Sequence, residues 1–178
     1  MKIETVMWLL PIVFMIHDFE EIIMIKPWTA RNSSEIQRRF PSLASRMLPH
    51  LERLSTSSLA LAVAEEFVLL SAVTYIAVEY DLYSVWAGVL LAFFIHLIVH
   101  IIQFLLYGKY IPVIITSLIT SLYCTFALYF LNLNNYLVWP DVAKWTMLSV
   151  VILIVNLVFV HSLAARFEKW LNKNFFKS

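Results

Sequence analysis

Apolar positions gather along this chain in five long blocks, residues 3–25, 59–80, 85–107, 110–131 and 142–165, separated by short polar breaks. Each block approaches the roughly 20 residues that an α-helix needs to cross a bilayer core. The breaks carry turn chemistry: Pro27, Pro41 and Pro49 after the first block, Asp81 after the second, Gly108-Lys109 after the third, and residues 132–140 after the fourth. Pro11 interrupts the first block, as a kink that neighbouring helices can support. The pattern predicts an all-α fold, a five-span transmembrane helical bundle forming one domain over residues 1–178. The scarcity of turn residues argues against a transmembrane barrel.

Two polar segments have a different rhythm. In residues 26–57, Lys26, Arg31, Arg38, Arg39, Arg46 and Arg53 interleave with Ile36, Phe40, Leu43, Met47, Leu51 and Leu54. That alternation predicts short basic amphipathic helices on the membrane surface, placed where they could cover a site as a lid. Asn32-Ser33-Ser34-Glu35 reads as a capping box opening one of them. After Arg166, the residues Phe167, Trp170, Leu171 and Phe175 alternate with Lys169, Lys173 and Lys177, which predicts an amphipathic C-terminal tail.

Composition narrows the class. With 61% hydrophobic and 14% charged residues, the chain reads as an integral membrane protein. A net charge of +1 without a basic tract leaves no footprint for nucleic acid. A single cysteine, Cys124, excludes an internal disulfide framework and a one-chain thiolate zinc site. The first block lacks a small-residue cleavage signature and contains acidic residues, so it reads as a retained helix. Under a five-span count only Lys2 and Lys144, of thirteen Lys and Arg, fall on one face. The positive-inside rule then puts the N-terminus outside and the C-terminus in the cytoplasm, across the plasma membrane.

Chemistry enters with the polar groups inside the apolar blocks. One ionised carboxylate at mid-membrane costs about 2.5–3.5 kcal/mol, so several together require partners, a metal or a wet cavity. His17, Glu20 and Glu21 share one face of the first helix, with Asp18 about 100° away and available as an acceptor for a histidine N–H. Glu65-Glu66 interrupts the second block, His96 and His100 lie one turn apart in the third with Gln103 on the same stripe, and Asn156 and His161 fall in the fifth. Counted from the basic ends of the helices, these groups lie roughly 6–16 Å deep, a single layer of one leaflet. Two histidines at i, i+4 can ligate one metal, and a His and Glu at i, i+3 can chelate. The metal ligands expected are therefore His17, Glu20, Glu65, His96, His100 and His161. Glu21 and Glu66 remain as catalytic carboxylates. His50, beside Pro49, reads as solvated, and Asn156 as a bond between helices.

His17-Asp18-Phe19-Glu20-Glu21 resembles the motif that names the HxxEE family of small, mainly bacterial membrane proteins. The resemblance extends over most of the chain, through the later Glu65-Glu66, His96, His100 and His161, and it implies a metal site without naming a substrate.

Histidine and carboxylate donors without thiolate favour zinc, with iron or manganese as the other candidates. The leading expectation is a metal-dependent membrane enzyme acting on a lipid or apolar small molecule. Hydrolysis stands ahead of di-iron oxidation, because each Glu-Glu pair leaves one carboxylate spare as a base. Two other classes remain. A metal-free intramembrane protease would use Glu65-Glu66 with His96 or His100, although Abi-type endopeptidases carry an arginine where this chain has Leu70. A non-enzymatic ion carrier or sensor also needs buried carboxylates and histidines.

Overall fold

The computed structural model describes residues 1–175 and folds them into α-helices joined by short links. They are α1 (Ile3–Arg39), α2 (Pro41–Arg53), α3 (Thr56–Glu79), α4 (Tyr83–Tyr107), α5 (Ile114–Leu133) and α6 (Trp139–Asn174). No strand occurs among the described residues. Four helices, α3 to α6, are long and apolar enough to cross a membrane. The exterior of the bundle is itself apolar: Leu122 is 72% exposed, Val158 71% and Met147 69%. An outer surface of that kind is solvated by lipid.

Helical periodicity explains which faces turn inward. Along α1 the buried positions Ile3, Val6, Met7, Leu10, Phe14 and His17 recur every three or four residues, so the motif histidine continues the core stripe. On α4 the stripe is Trp86, Leu90, Phe93 and Leu97, and one further step brings it to His100. On α5 it is Ser117, Thr120, Cys124, Ala127 and Leu131. These three faces meet in one core. Gly88 closes α4 against α6: a Cβ there would lie 2.6 Å from Trp145 Cβ and 2.7 Å from its backbone carbon. The two helices thus meet backbone to backbone, as small residues permit in membrane proteins. Pro11 removes one donor from the α1 ladder, and next to the freed carbonyl the Tyr123 hydroxyl donates to Val6 O at 2.8 Å.

The polar segments depart from expectation. Residues 26–39 do not form a separate surface helix; α1 runs unbroken for 37 residues through Pro11 and Pro27. Neighbouring helix ends hold the second half in place: Trp28 Nε1 donates to Tyr110 O at 2.8 Å, Tyr107 Oη to Asn32 Oδ1 at 3.1 Å, and Arg39 Nη1 to Tyr107 O at 2.7 Å. The expected capping box therefore lies inside a helix, where Asn32 Nδ2 bonds Trp28 O and Glu35 pairs with Arg39 and Lys109. Only α2 is a separate basic amphipathic helix. It opens on Pro41, favourable at a first helical position, and buries Ala44 and Leu48 against Ile36, Tyr107, Ile111 and Ile114. Lys26 Nζ bonds the carbonyls of Leu51 and Glu52 at 2.8 and 3.0 Å, a cation placed at the negative end of the α2 dipole.

The last block and the basic segment after it form one helix, α6, of 36 residues. Its Glu168 accepts bonds from Ser55 N and Ser58 Oγ at 2.9 and 2.6 Å, tying it to the start of α3. The fourth block starts later than its apolar pattern, at Ile114, because α4 stops at Gly108 in the left-handed region (φ 74°) and a short link follows. Val113, the cap of α5, is also left-handed at φ 72°, a strained state for a β-branched residue.

Candidate functional site

The α1 and α4 stripes bring three imidazoles together. One ring nitrogen from each of His17, His96 and His100 lies within 4.8 Å of the others, and His96 Nε2 is 3.0 Å from His100 Nε2. The His17 ring centroid lies 5.7 Å from that of His96 and 5.5 Å from that of His100. His17 is fully buried, and its Nε2 has no hydrogen-bond partner. A buried polar atom normally finds a partner in protein, water or an ion, and His17 Nε2 is one of several such atoms here, with Asp18 Oδ2 and His50 Nε2.

Hydrogen bonds around the rings set their tautomers. Thr116 Oγ1 has one proton and lies closest to Glu20 Oε2, at 2.6 Å, so toward His17 Nδ1 at 3.3 Å it accepts. The His17 proton then sits on Nδ1, which leaves the lone pair on Nε2. Gln103 Oε1, 3.0 Å from His100 Nδ1, does the same for His100. Fixing the far nitrogen of a ligating imidazole in this way is a standard device of metal sites.

Glu20 is held apart from the triad. It accepts from Tyr110 Oη at 2.8 Å, Thr116 N at 2.9 Å and Thr116 Oγ1 at 2.6 Å. Thr116 stands in the first turn of α5, so this carboxylate caps that helix from another element, against its positive dipole end. The strained Val113 just before that turn turns the chain into the helix there.

A cavity of about 380 Å³ adjoins the triad between α1, α3, α4 and α6. Its walls are mostly apolar, including Phe14, Leu70, Phe93 and Leu153, and its polar groups are Asp18, Glu21, Glu66, His96, Ser149, Asn156 and His161. His96 belongs to both triad and cavity. Asp18 is only 4% exposed, and its Oδ2 has no hydrogen-bond partner.

The remaining expected ligands do not reach the imidazoles. Glu65 accepts from Asn156 Nδ2 at 3.1 Å and serves the α3–α6 contact. His161 bonds Leu157 O through Nδ1 at 2.6 Å and lies 5.1 Å, ring to ring, from His50. His50 is not freely solvated: its Nε2 is buried without a partner, and burial, then His161 and Arg53, hold its imidazole below the ordinary range.

With this geometry in place, comparison with known proteins gives one positive result. The family model described as a protein of unknown function with HXXEE motif matches residues 8–128, more than half of the chain. The chain belongs to the HXXEE family. No curated protein and no solved structure matches it significantly.

The HXXEE motif thereby acquires a division of labour. His17 joins the triad, Glu20 caps α5, and Glu21 faces the cavity. The sequence pattern missed Thr116 and Tyr110, the partners of Glu20, because a helix cap supplied from another helix leaves no local signature. Gln103 was signalled by its place on the His96–His100 stripe.

Proposed function

We propose that this chain is a metal-dependent membrane enzyme. His17, His96 and His100 hold a divalent ion, zinc ahead of iron or manganese, and the adjoining cavity receives a lipid or other apolar substrate. The observation that carries this reading is the His17 imidazole, fully buried, with an unpartnered Nε2 and one ring nitrogen within 4.8 Å of those of two further histidines. Imidazole donors without thiolate suit zinc, and three protein ligands leave the open position of a catalytic zinc site. Tetrahedral bonds of about 2.0–2.1 Å put ligand nitrogens roughly 3.3 Å apart. The His96–His100 separation of 3.0 Å is near that value, while the wider 4.8 Å limit of the cluster means that binding draws the rings together.

When bound, such an ion supplies a water with a pKa near 7. The chain's own groups do the rest. Thr116 and Gln103 keep the lone pairs of His17 and His100 on Nε2. Glu21 and Glu66, in the cavity wall, stand where a general base is needed. The apolar lining excludes bulk water, which strengthens each charge inside. Leu69 and Ile152, 41% and 51% exposed, belong both to the cavity lining and to the lipid-facing exterior. The entrance thus lies between α3 and α6, open to substrate dissolved in the bilayer. Hydrolysis fits better than di-iron oxidation, because Glu20 and Glu65 are engaged elsewhere.

In this reading the first half of α1 is a fifth span. Its interior charges Asp18, Glu20 and Glu21 are turned to protein or cavity, Glu4 stands in its exposed first turn, and the basic end of the bundle faces the cytoplasm of a plasma membrane. The test is metal analysis of detergent-purified protein, with His17→Ala and His100→Ala alongside. About one ion per chain, lost in both variants at unchanged helicity, is the expected result; protein that takes up no metal overturns the reading.

A further inference from the structure

The charge of the cavity is unbalanced. Asp18, Glu21 and Glu66 line it together with His96 and His161, and among the described residues no lysine or arginine does. The ion pairs among the described residues, Glu35 with Arg39 and Lys109, and Asp141 with Lys144, are all elsewhere. Carboxylates in apolar surroundings without a counter-charge are costly, and Asp18 Oδ2, buried and without a partner, is the most exposed to that cost in energy. A ligand that relieves it must bring positive charge or donors. Phosphate, sulfate or carboxylate head groups would meet three carboxylates, with only the amide, hydroxyl and imidazole groups of Asn156, Ser149, His96 and His161 to offset them.

The carboxylates are also spread. The described residues hold one group of three or more ligating side chains drawn within 4.8 Å, and it is the histidine triad. An inorganic ion takes its oxygen ligands at short, equal distances of about 2.0–2.6 Å. An ammonium with three diverging N–H donors suits separated acceptors better. Around them the wall is hydrocarbon, from Phe14 and Val63 to Leu153, and the volume of about 380 Å³ lies in the range of small-molecule sites.

We propose that the cavity binds a singly cationic amphiphile, an apolar chain ending in an amine and lacking phosphate, with Asp18, Glu21 and Glu66 receiving the ammonium. The assignment rests on the reading of this cavity as the substrate chamber, and it names the substrate class. An alkyl chain entering between α3 and α6 would lie along Leu69, Leu70 and Ile152, with the amine leading toward Asp18 and His96.

The experiment uses the full chain in neutral maltoside detergent, treated with chelator, and compares n-octylamine, n-octanol and octanoate by isothermal titration. Octylamine should bind at least tenfold more tightly than octanol, and octanoate should not bind. Asp18→Asn and, separately, Glu66→Gln should each weaken octylamine by tenfold or more and leave octanol unchanged, which also certifies that the variants are folded. Equal affinities for amine and alcohol, or variants without effect, overturn the proposal, as does displacement of octylamine by calcium or zinc in protein whose His17 and His100 are replaced by alanine. Because the titration is done without bound metal, loss of amine binding with zinc content intact condemns this inference alone. Absence of zinc with amine binding intact condemns only the metal reading.

Discussion

His96 and His100 stand one turn apart on α4 with their Nε2 atoms 3.0 Å from each other, and Gln103 holds the opposite nitrogen of His100. The second nitrogen of a ligating imidazole sets its basicity as well as its direction. Gln103→Leu should therefore weaken zinc binding by about 10–100-fold at unchanged stoichiometry. A competition titration against a zinc chelator measures this, and an unaltered affinity would remove Gln103 from the site.

Glu20 makes a contrasting case. Its three bonds run to Tyr110 and Thr116, so Glu20→Ala leaves donors of α5 unpaired in a part-buried position. The cost should be about 1–3 kcal/mol, read as a lower unfolding temperature in detergent. Zinc stoichiometry should survive. A variant that keeps its stability but loses its ion would make Glu20 a ligand instead.

Gly88→Ala tests the packing behind the cavity. The added methyl meets Trp145 Cβ at 2.6 Å and backbone atoms that cannot rotate away. A loss of about 1–3 kcal/mol is expected, with α4 and α6 forced apart. An unchanged unfolding temperature would show that the two helices do not meet so closely.

Acid should loosen the far end of α1. The Lys109 ammonium, hydrogen-bonded to Glu35, holds that carboxyl below its ordinary value of 4.5. A folded-state value below the unfolded one stabilises above about pH 4.5, and the benefit disappears as pH falls through the lowered value. Lys109→Met should thus unfold at a lower temperature than the unsubstituted chain at pH 7, by a small margin for an exposed pair, and the gap should close near pH 3. A margin independent of pH would exclude the ion pair as its source.

The sequence carried the class of fold and part of the site, for identifiable reasons. Apolar length located α3 to α6, since a bilayer sets a minimum helix length, but it did not show that α5 begins only at Ile114 or that α6 continues to Asn174. Helical spacing delivered His96, His100 and Gln103, because a stripe on one helix depends only on its own periodicity. Depth placed Glu65 and His161 in the same layer as the triad but could not say which way they point, and rotation about the helix axis sends them to Asn156 and His50. Pro27 suggested a break that α1 does not make. Contacts of Trp28, Asn32 and Arg39 with the end of α4 and the link after it support the helix beyond the proline, and such contacts between distant segments leave no trace in local pattern.

That unbroken α1 is roughly 55 Å long, a stiff rod with the motif near its middle and its far end gripped by Tyr107, Lys109 and Tyr110. A single helix thus supplies His17 to the imidazole trio, Glu20 to the cap of α5 and Glu21 to the chamber wall, so the spacing of those three parts is written into one helical repeat.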